Sequence, residues 1–182
     1  MSSKQFIKHG FREFHTTGSI VPSSPYLVRR LTRLVNPALK LNIVEFGAGE
    51  GCVTRGILGK MHLDSKLTTF ELNVDFAKGL KISMHGQRRV RVINDNVLNA
   101  HKYIKENSAD LVISSLPLGN MKKRLVYDIL NEASYLLNEK GVFVQYQYFG
   151  KNYFDVKGIF KNLKLGWEPR NIPPAFIYEC RK

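Results

Sequence analysis

The chain has 182 residues, with 28 Lys and Arg against 15 Asp and Glu for a net charge of +13. That length supports one domain with a sizeable core, and 43% hydrophobic with 24% charged residues excludes a disordered chain. The basic balance argues for an anionic partner, either nucleic acid or an acidic membrane surface, and does not choose between them. At the N-terminus, MSSKQFIKHGFREF lacks the continuous apolar stretch and small-residue cleavage site of a secretory signal. Phe6, Ile7, Phe11 and Phe14 share one arc of a helical wheel, with Lys4, Lys8 and Arg12 mostly outside it. The pattern predicts a short basic amphipathic helix, either lying on a membrane or packing its aromatics on the domain as a lid. Ser24 followed by Pro25 predicts a capped helix over Tyr26–Leu34. Residues 1–38 are thus read as a helical N-terminal cap, and 39–182 as the main domain.

From Leu41 onward, strands and helices alternate. Strands are expected at Leu41–Phe46, Lys66–Glu71, Val90–Asn94, Ala109–Ser114 and Gly141–Tyr148. Helical spacing fills Val53–Met61, Val74–His85, Leu98–Asn107 and Met121–Asn138. In the last of these, Leu125, Ile129, Ala133 and Leu136 form one stripe, and Gly141 is read as the residue that stops the helix. Leu163–Glu168 and Ala175–Cys180 read as a closing strand pair. Alternation of this kind predicts an α/β fold, a parallel sheet with helices on both faces. No run reaches the ~18 apolar residues that span a bilayer. Cys52 and Cys180 are far apart and match no metal spacing. No metal and no disulfide scaffold are therefore expected, and a reduced, cytoplasmic location is.

The sharpest motif is IVEFGAGEGCVTRGIL, where Glu45, Gly47, Gly49 and Gly51 stand at a strand-to-helix turn. Glycines let the backbone turn tightly and approach a ligand closely, and open α/β sheets bind ligands beside such turns. The pattern is G-x-G-x-G, not the G-x-G-x-x-G of dinucleotide sites. It resembles motif I of the class I S-adenosylmethionine-dependent methyltransferases. Glu71 ends the second strand, where an acidic side chain can accept hydrogen bonds from both ribose hydroxyls. The resemblance implies that Asp95, after the third strand, lies near the adenine amino group. Asn96 can add a polar contact, and for Glu71 or Asp95 alone a turn or capping role is the other reading.

The segments GSIVPSSPYLVRRL, VEFGAGEGCVTRGIL, ISSLPLGN, FVQYQY and NIPPAFIY together resemble the bacterial phospholipid N-methyltransferases and their rRNA-dimethylase-like relatives, from about residue 10 onward. The resemblance implies a Rossmann-like class I fold, a seven-stranded mostly parallel sheet. It implies S-adenosyl-L-methionine as donor, with further donor contacts from Ser23, Leu72 and Ser114. It implies a phospholipid amine such as phosphatidylethanolamine as acceptor, at the inner membrane surface. Adenine methylases of the wider group carry N/D-P-P-Y or N-L/I-P-Y/F at the fourth strand end, where a ring stacks on the base. Here Ser115 and Leu118 occupy the amide and ring positions, and a missing ring forfeits ~1–3 kcal/mol of stacking. RNA or DNA methylation and a non-catalytic donor-binding module are the alternatives.

An amine with a pKa near that of lysine is mostly protonated at neutral pH, so its free form must be favoured or captured. Tyr146 and Tyr148 alternate along the fifth strand and share a face. With Ser115 they are the candidates for orienting the amine, unless the rings simply pack under a helix. His101 is a secondary base candidate, or a surface position. Asn171, Pro173 and Pro174 can shape the acceptor mouth. Arg170, Lys122, Lys123 and Arg124 are candidates for holding a phosphate, or a solvated face.

Overall fold

A computed structural model describes residues 23–148, 150 and 152–182. The N-terminal amphipathic segment, Phe6 to Phe14, lies outside them. The elements are α1 (Pro25–Leu31), β1 (Asn42–Phe46), α2 (Cys52–Leu58), β2 (Lys66–Phe70), α3 (Val74–Ser83), β3 (Val90–Ile93), β4 (Ala109–Ser114), α4 (Lys123–Leu136), β5 (Leu137–Gln147), α5 (Tyr153–Ile159), β6 (Asn162–Glu168) and β7 (Ala175–Arg181). They form one seven-stranded sheet in the order β3-β2-β1-β4-β5-β7-β6. The first five strands are parallel, and β7 runs antiparallel to β5 and β6. This is the expected α/β, Rossmann-like architecture.

Side-chain alternation on these strands creates two cores. Ile43, Leu67, Leu111, Ile113, Val142, Val144 and Ile177 meet Leu27 and Leu31 of α1 and Val53 and Ile57 of α2. On the opposite face Val44, Phe46, Phe70, Val112 and Phe143 meet the α4 stripe of Val126, Ile129, Leu130, Ala133 and Leu136. Both faces of the parallel strands are covered, as near-continuous apolar strand sequences require. Ser24 caps α1, accepting from the Leu27 N–H at 3.2 Å, as its placement before Pro25 predicts.

Three expectations change. The segment expected as a helix over Leu98–Asn107 is a short 3-10 turn, Val97–Lys102. Its entry is held by Asp95 and Asn96, whose side chains satisfy local backbone donors in a tight turn. Gly141 does not stop α4, which ends at Leu136 as Leu137 turns directly into β5. Gly141 sits inside that strand beside the register shift between Ala109 and Leu111. A Cβ there would lie 2.8 Å from the Leu137 side chain and 3.0 Å from the Ala109 carbonyl oxygen. The seven-residue helix α5 was not expected, because Val156 is its one buried residue and no apolar stripe announces it.

Chain order places the functional edge. From β1 the chain adds β2 and β3 on one side, then returns to add β4 and β5 on the other. A crevice opens where the order reverses, outside the carboxyl ends of β1 and β4. The loop after β1 carries the glycines and the loop after β4 carries Ser115. The Ser115 N–H joins them by donating to the Phe46 carbonyl at 2.9 Å.

Candidate active site

Gly47, Gly49 and Gly51 all take positive φ, at +76°, +52° and +84°. L-residues avoid that region, so the spacing of the glycines records the backbone path. The loop folds over the end of β2, with the Gly47 and Ala48 N–H groups both donating to the Phe70 carbonyl, at 2.9 and 3.1 Å. A Cβ on Gly51 would stand 2.5 Å from Leu80 Cδ1, and one on Gly47 2.8 Å from Leu116 Cδ2. Gly51→Ala is accordingly expected to cost about 1–2 kcal/mol through φ alone, with the Leu80 clash added. A lower thermal midpoint in circular dichroism, with weakened donor binding, checks this.

Glu71 is buried and latches the loop. Its Oε2 accepts from the Gly49 N–H at 2.7 Å and its Oε1 from the Asn73 N–H at 2.8 Å. Each carboxylate oxygen retains a second acceptor site. Asn94, which the sequence did not flag, donates from Nδ2 to the Glu71 and Leu72 carbonyls at 2.8 and 3.2 Å, tying the β3 end to the β2 end. Beside this latch a cleft of about 340 Å³, counted with its open mouth, is lined by Gly47, Phe70, Leu72, Asn96, Val97 and Leu116, and roofed by Met121, Leu125 and Ile129. Its walls are mostly apolar, with Asn96 and the loop backbone supplying polar groups. Of these, sequence reasoning singled out Gly47, Leu72 and Asn96. Leu125 and Ile129 were read as core stripe, and their spacing does not reveal that the end of the stripe overhangs the cleft.

The other expected residues are distributed as follows. Glu45 is wholly buried beneath the loop, and its Oε2 accepts from the Thr54 hydroxyl at 2.7 Å. Burial pushes its carboxyl up to about 7, and repulsion from Glu71 adds to that rise while hydrogen bonding from Thr54 opposes it. It therefore acts on the loop from below and does not open onto the cleft. Asp95 accepts from the Asn96 N–H at 2.7 Å, Asn99 Nδ2 at 2.9 Å and the Tyr103 hydroxyl at 2.9 Å. Burial would raise its carboxyl, but the bonds from Asn99, Asn96 and Tyr103 and the nearby Lys102 charge outweigh that and hold it below the usual range. Both its oxygens thus serve the turn that presents Asn96. Ser114 is buried and accepts from the Leu116 N–H at 3.3 Å.

Among the described residues the buried Ser115 Oγ has no hydrogen-bond partner. Gln145, paired in register with Ser114, donates from Nε2 to the Leu116 carbonyl at 2.9 Å and braces this loop from below. Tyr146 and Tyr148 pack edge to face, with centroids 5.5 Å apart, on the α1 side of the sheet. Burial raises the Tyr146 phenol pKa, the neighbouring Tyr148 raises it further, and the Ser23 hydroxyl works the other way. Ser23 therefore sits with the tyrosine pair. The cleft opens on the α4 side, lined there by Leu125 and Ile129.

Leu118 is fully buried in the α4 core. His101 is an exposed residue whose Nδ1 lies 3.0 Å from Glu132, away from the crevice. Arg170 is committed to Glu168, at 2.8 Å, and stacks over Tyr26 at 4.4 Å. Asn171 is buried and donates to the Pro173 carbonyl at 2.7 Å, fixing the β6–β7 connection. Lys123 reaches Asp155 at 3.8 Å. Cys52 opens α2 with an Arg55 Nη2 contact at 3.7 Å, and Cys180 is buried in the core. Neither forms a disulfide.

This arrangement fits S-adenosylmethionine. A buried carboxylate with acceptor sites to spare stands between Phe70 and Leu72, which line an apolar slot together with Val97. Beside them runs a loop whose glycines admit the ligand without a Cβ in the way. No phosphate-binding geometry is needed.

Comparison with known proteins agrees. Residues 23–155 match the ribosomal RNA adenine dimethylase family. An ornithine lipid N-methyltransferase from Singulisphaera acidiphila is 30% identical over 187 residues, covering 97% of this chain and 92% of that protein. Among solved structures, an rRNA methylase from Streptococcus thermophilus superposes with a TM-score of 0.63 at 17% identity, over 85% of this chain and 93% of that one. An S-adenosylmethionine-dependent O-methyltransferase from Thermotoga maritima does so with 0.66 at 12% identity, over 94% and 71%. The two structures support the fold alone. The chain belongs to the ribosomal RNA adenine dimethylase family and is an S-adenosylmethionine-dependent N-methyltransferase.

Proposed function

We propose that the protein methylates a primary amine on a membrane lipid headgroup, such as phosphatidylethanolamine or an ornithine lipid. The observation that carries this reading is the near full-length similarity to an ornithine lipid N-methyltransferase. Leu118 supports it, because the position of a base-stacking ring is filled by an aliphatic side chain turned wholly into the core. When bound, S-adenosylmethionine supplies a methyl group on a sulfonium, open to in-line displacement by a neutral amine. Glu71 would hold the ribose, Leu72, Asn96 and Val97 would border the adenine, and the glycine loop would carry the methionine end.

Ser115 offers a hydroxyl without a partner among the described residues at the junction of the β1 and β4 loops, suited to accept a hydrogen from the incoming amine. Tyr146 remains a neutral phenol because burial raises its pKa. It therefore orients by hydrogen bonding and by its ring face, which also attracts a methylated ammonium. Holding donor and amine at near-attack distance supplies most of the rate. Among the described residues no helix is long and apolar enough to cross a membrane. A lipid acceptor is then met at the bilayer surface, and the +13 charge suits an anionic one.

The family match and the same charge favour RNA as a second reading. The test is transfer of labelled methyl from the donor to phosphatidylethanolamine, ornithine lipid and ribosomal RNA in parallel. Label in a lipid amine is the expected result. Label in RNA alone overturns the lipid reading, and no transfer despite tight donor binding would leave a donor-binding module.

A further inference from the structure

The edge of the sheet that holds the cleft also carries the most exposed apolar side chains near it. Phe154, on the first turn of α5, is 81% exposed, and Ile172, in the β6–β7 connection, is 80% exposed. Trp167 at the end of β6 is 57% exposed. Strand pairing fixes their position. Gln147 pairs with Phe176 and Glu168 with Ala175, so β6 ends and β7 begins beside the carboxyl end of β5. Leu163 packs into the core on the α4 and α5 side, so Trp167, four residues on, points to the same side as α5. Single exposed apolar residues are ordinary. What distinguishes these three is a shared edge of the sheet, the one at which the parallel strands end and the cleft opens.

The same edge is basic. Lys122, Lys123 and Arg124 open α4 directly after the β4 loop, and the Lys123 side chain is 75% exposed. The Lys123–Asp155 contact ties the start of α4 to the start of α5, next to Phe154. Arg170 adjoins Ile172 in the β6–β7 connection and neutralises the buried Glu168. Apolar tips with cations around them match the two layers of an anionic bilayer surface, acyl chains below and headgroups above.

We propose that this edge is a membrane-docking face. Phe154, Trp167 and Ile172 enter the outer acyl region while Lys122, Lys123 and Arg124 at the start of α4 lie among anionic headgroups. The proposal rests on the lipid-acceptor reading, since a headgroup amine reaches the cleft from a bilayer only if this edge faces it. Docking is thereby assigned to the same edge of the sheet as the cleft.

Trp167 is the sole tryptophan of the chain and reports on its own surroundings. With the full chain and vesicles of phosphatidylcholine and phosphatidylglycerol in equal parts, its emission is expected to shift to the blue. Brominated acyl chains should quench it. Phe154→Ser and Ile172→Ser are each expected to lower vesicle partition about tenfold or more, the loss implied by one large apolar side chain no longer buried. Both variants should methylate lipid dispersed in detergent micelles at the parent rate. An unshifted emission, or partition unchanged in both variants, overturns the docking face, and continued methylation in micelles then leaves the acceptor reading standing. A shift produced by ribosomal RNA and not by vesicles also overturns it. If the parent methylates no lipid in micelles, the acceptor reading falls, and with it the reason for docking.

Discussion

Glu71→Gln is expected to raise the dissociation constant for S-adenosylmethionine about a hundredfold or more. The carboxylate is held by two backbone donors, Gly49 N–H and Asn73 N–H, one on each oxygen. Those bonds fix its plane and leave one acceptor site per oxygen for the two ribose hydroxyls. Hydrogen bonds to a charged acceptor contribute ~1.5–3 kcal/mol each, and two of them correspond to at least about two decades in affinity. The substitution also turns an amide donor toward one of the two N–H groups, so either the loop or the start of α3 loses its anchor. A lower thermal midpoint without ligand should accompany the weaker binding. Titration calorimetry settles the matter. Affinity close to that of the parent would mean that the carboxylate serves the loop and not the sugar.

The site was legible in part, for a physical reason. Residues whose function is written in their backbone conformation stand out in a sequence. The three glycines at alternate positions announce the positive φ values that they adopt, and Glu71 announces itself as a charge directly after a strand. Side chains that act through packing do not stand out. Leu125 and Ile129 look like any core stripe, and only the place where α4 crosses the sheet makes them a roof. Asn94 and Gln145 brace the site through carbonyls on neighbouring loops, contacts that depend on strand order and have no local signature. The same contrast runs through the fold. Long periodic segments such as α4 were readable, whereas α5 and the 3-10 turn after β3 are set by tertiary contacts and side-chain bonds to the backbone.

Asp95 carries the lesson further, because position and role separate there. It follows β3 where a residue near adenine is expected, yet Asn96, Asn99 and Tyr103 engage its carboxylate within its own turn. The residue that borders the cleft is its neighbour Asn96, whose Oδ1 caps the turn by accepting from the Leu98 N–H at 3.0 Å. The acidic residue shapes the turn and the amide lines the cleft, a division that spacing alone does not reveal.

Glu45→Gln is expected to stabilise the protein at pH 8 and to leave it nearly unchanged at pH 5. The carboxyl is fully buried, and burial raises its pKa in the folded protein to about 7. An unfolded chain would titrate it near 4.5. The folded state therefore holds the proton more tightly than the unfolded state does. The resulting stability is complete below about pH 4.5 and disappears as pH rises through about 7. Above that range the native state carries a desolvated charge beside Glu71, at a cost of up to about 3 kcal/mol from a shift of this size. Glutamine keeps the acceptor for Thr54 and removes the charge. Its amide can also donate to the neighbouring Thr69 hydroxyl. The thermal midpoint at pH 8 should rise by several degrees, at ~2–4 °C per kcal/mol for a chain of this length. The fall in midpoint from pH 5 to pH 8 should flatten. Donor affinity should change little, because the side chain lies beneath the loop and not in the cleft. Parallel pH profiles for parent and variant would show that the buried carboxyl does not titrate in this range. A large loss of donor affinity would show instead that Glu45 contacts the ligand directly, and that the loop opens further than its hydrogen bonds to β2 imply.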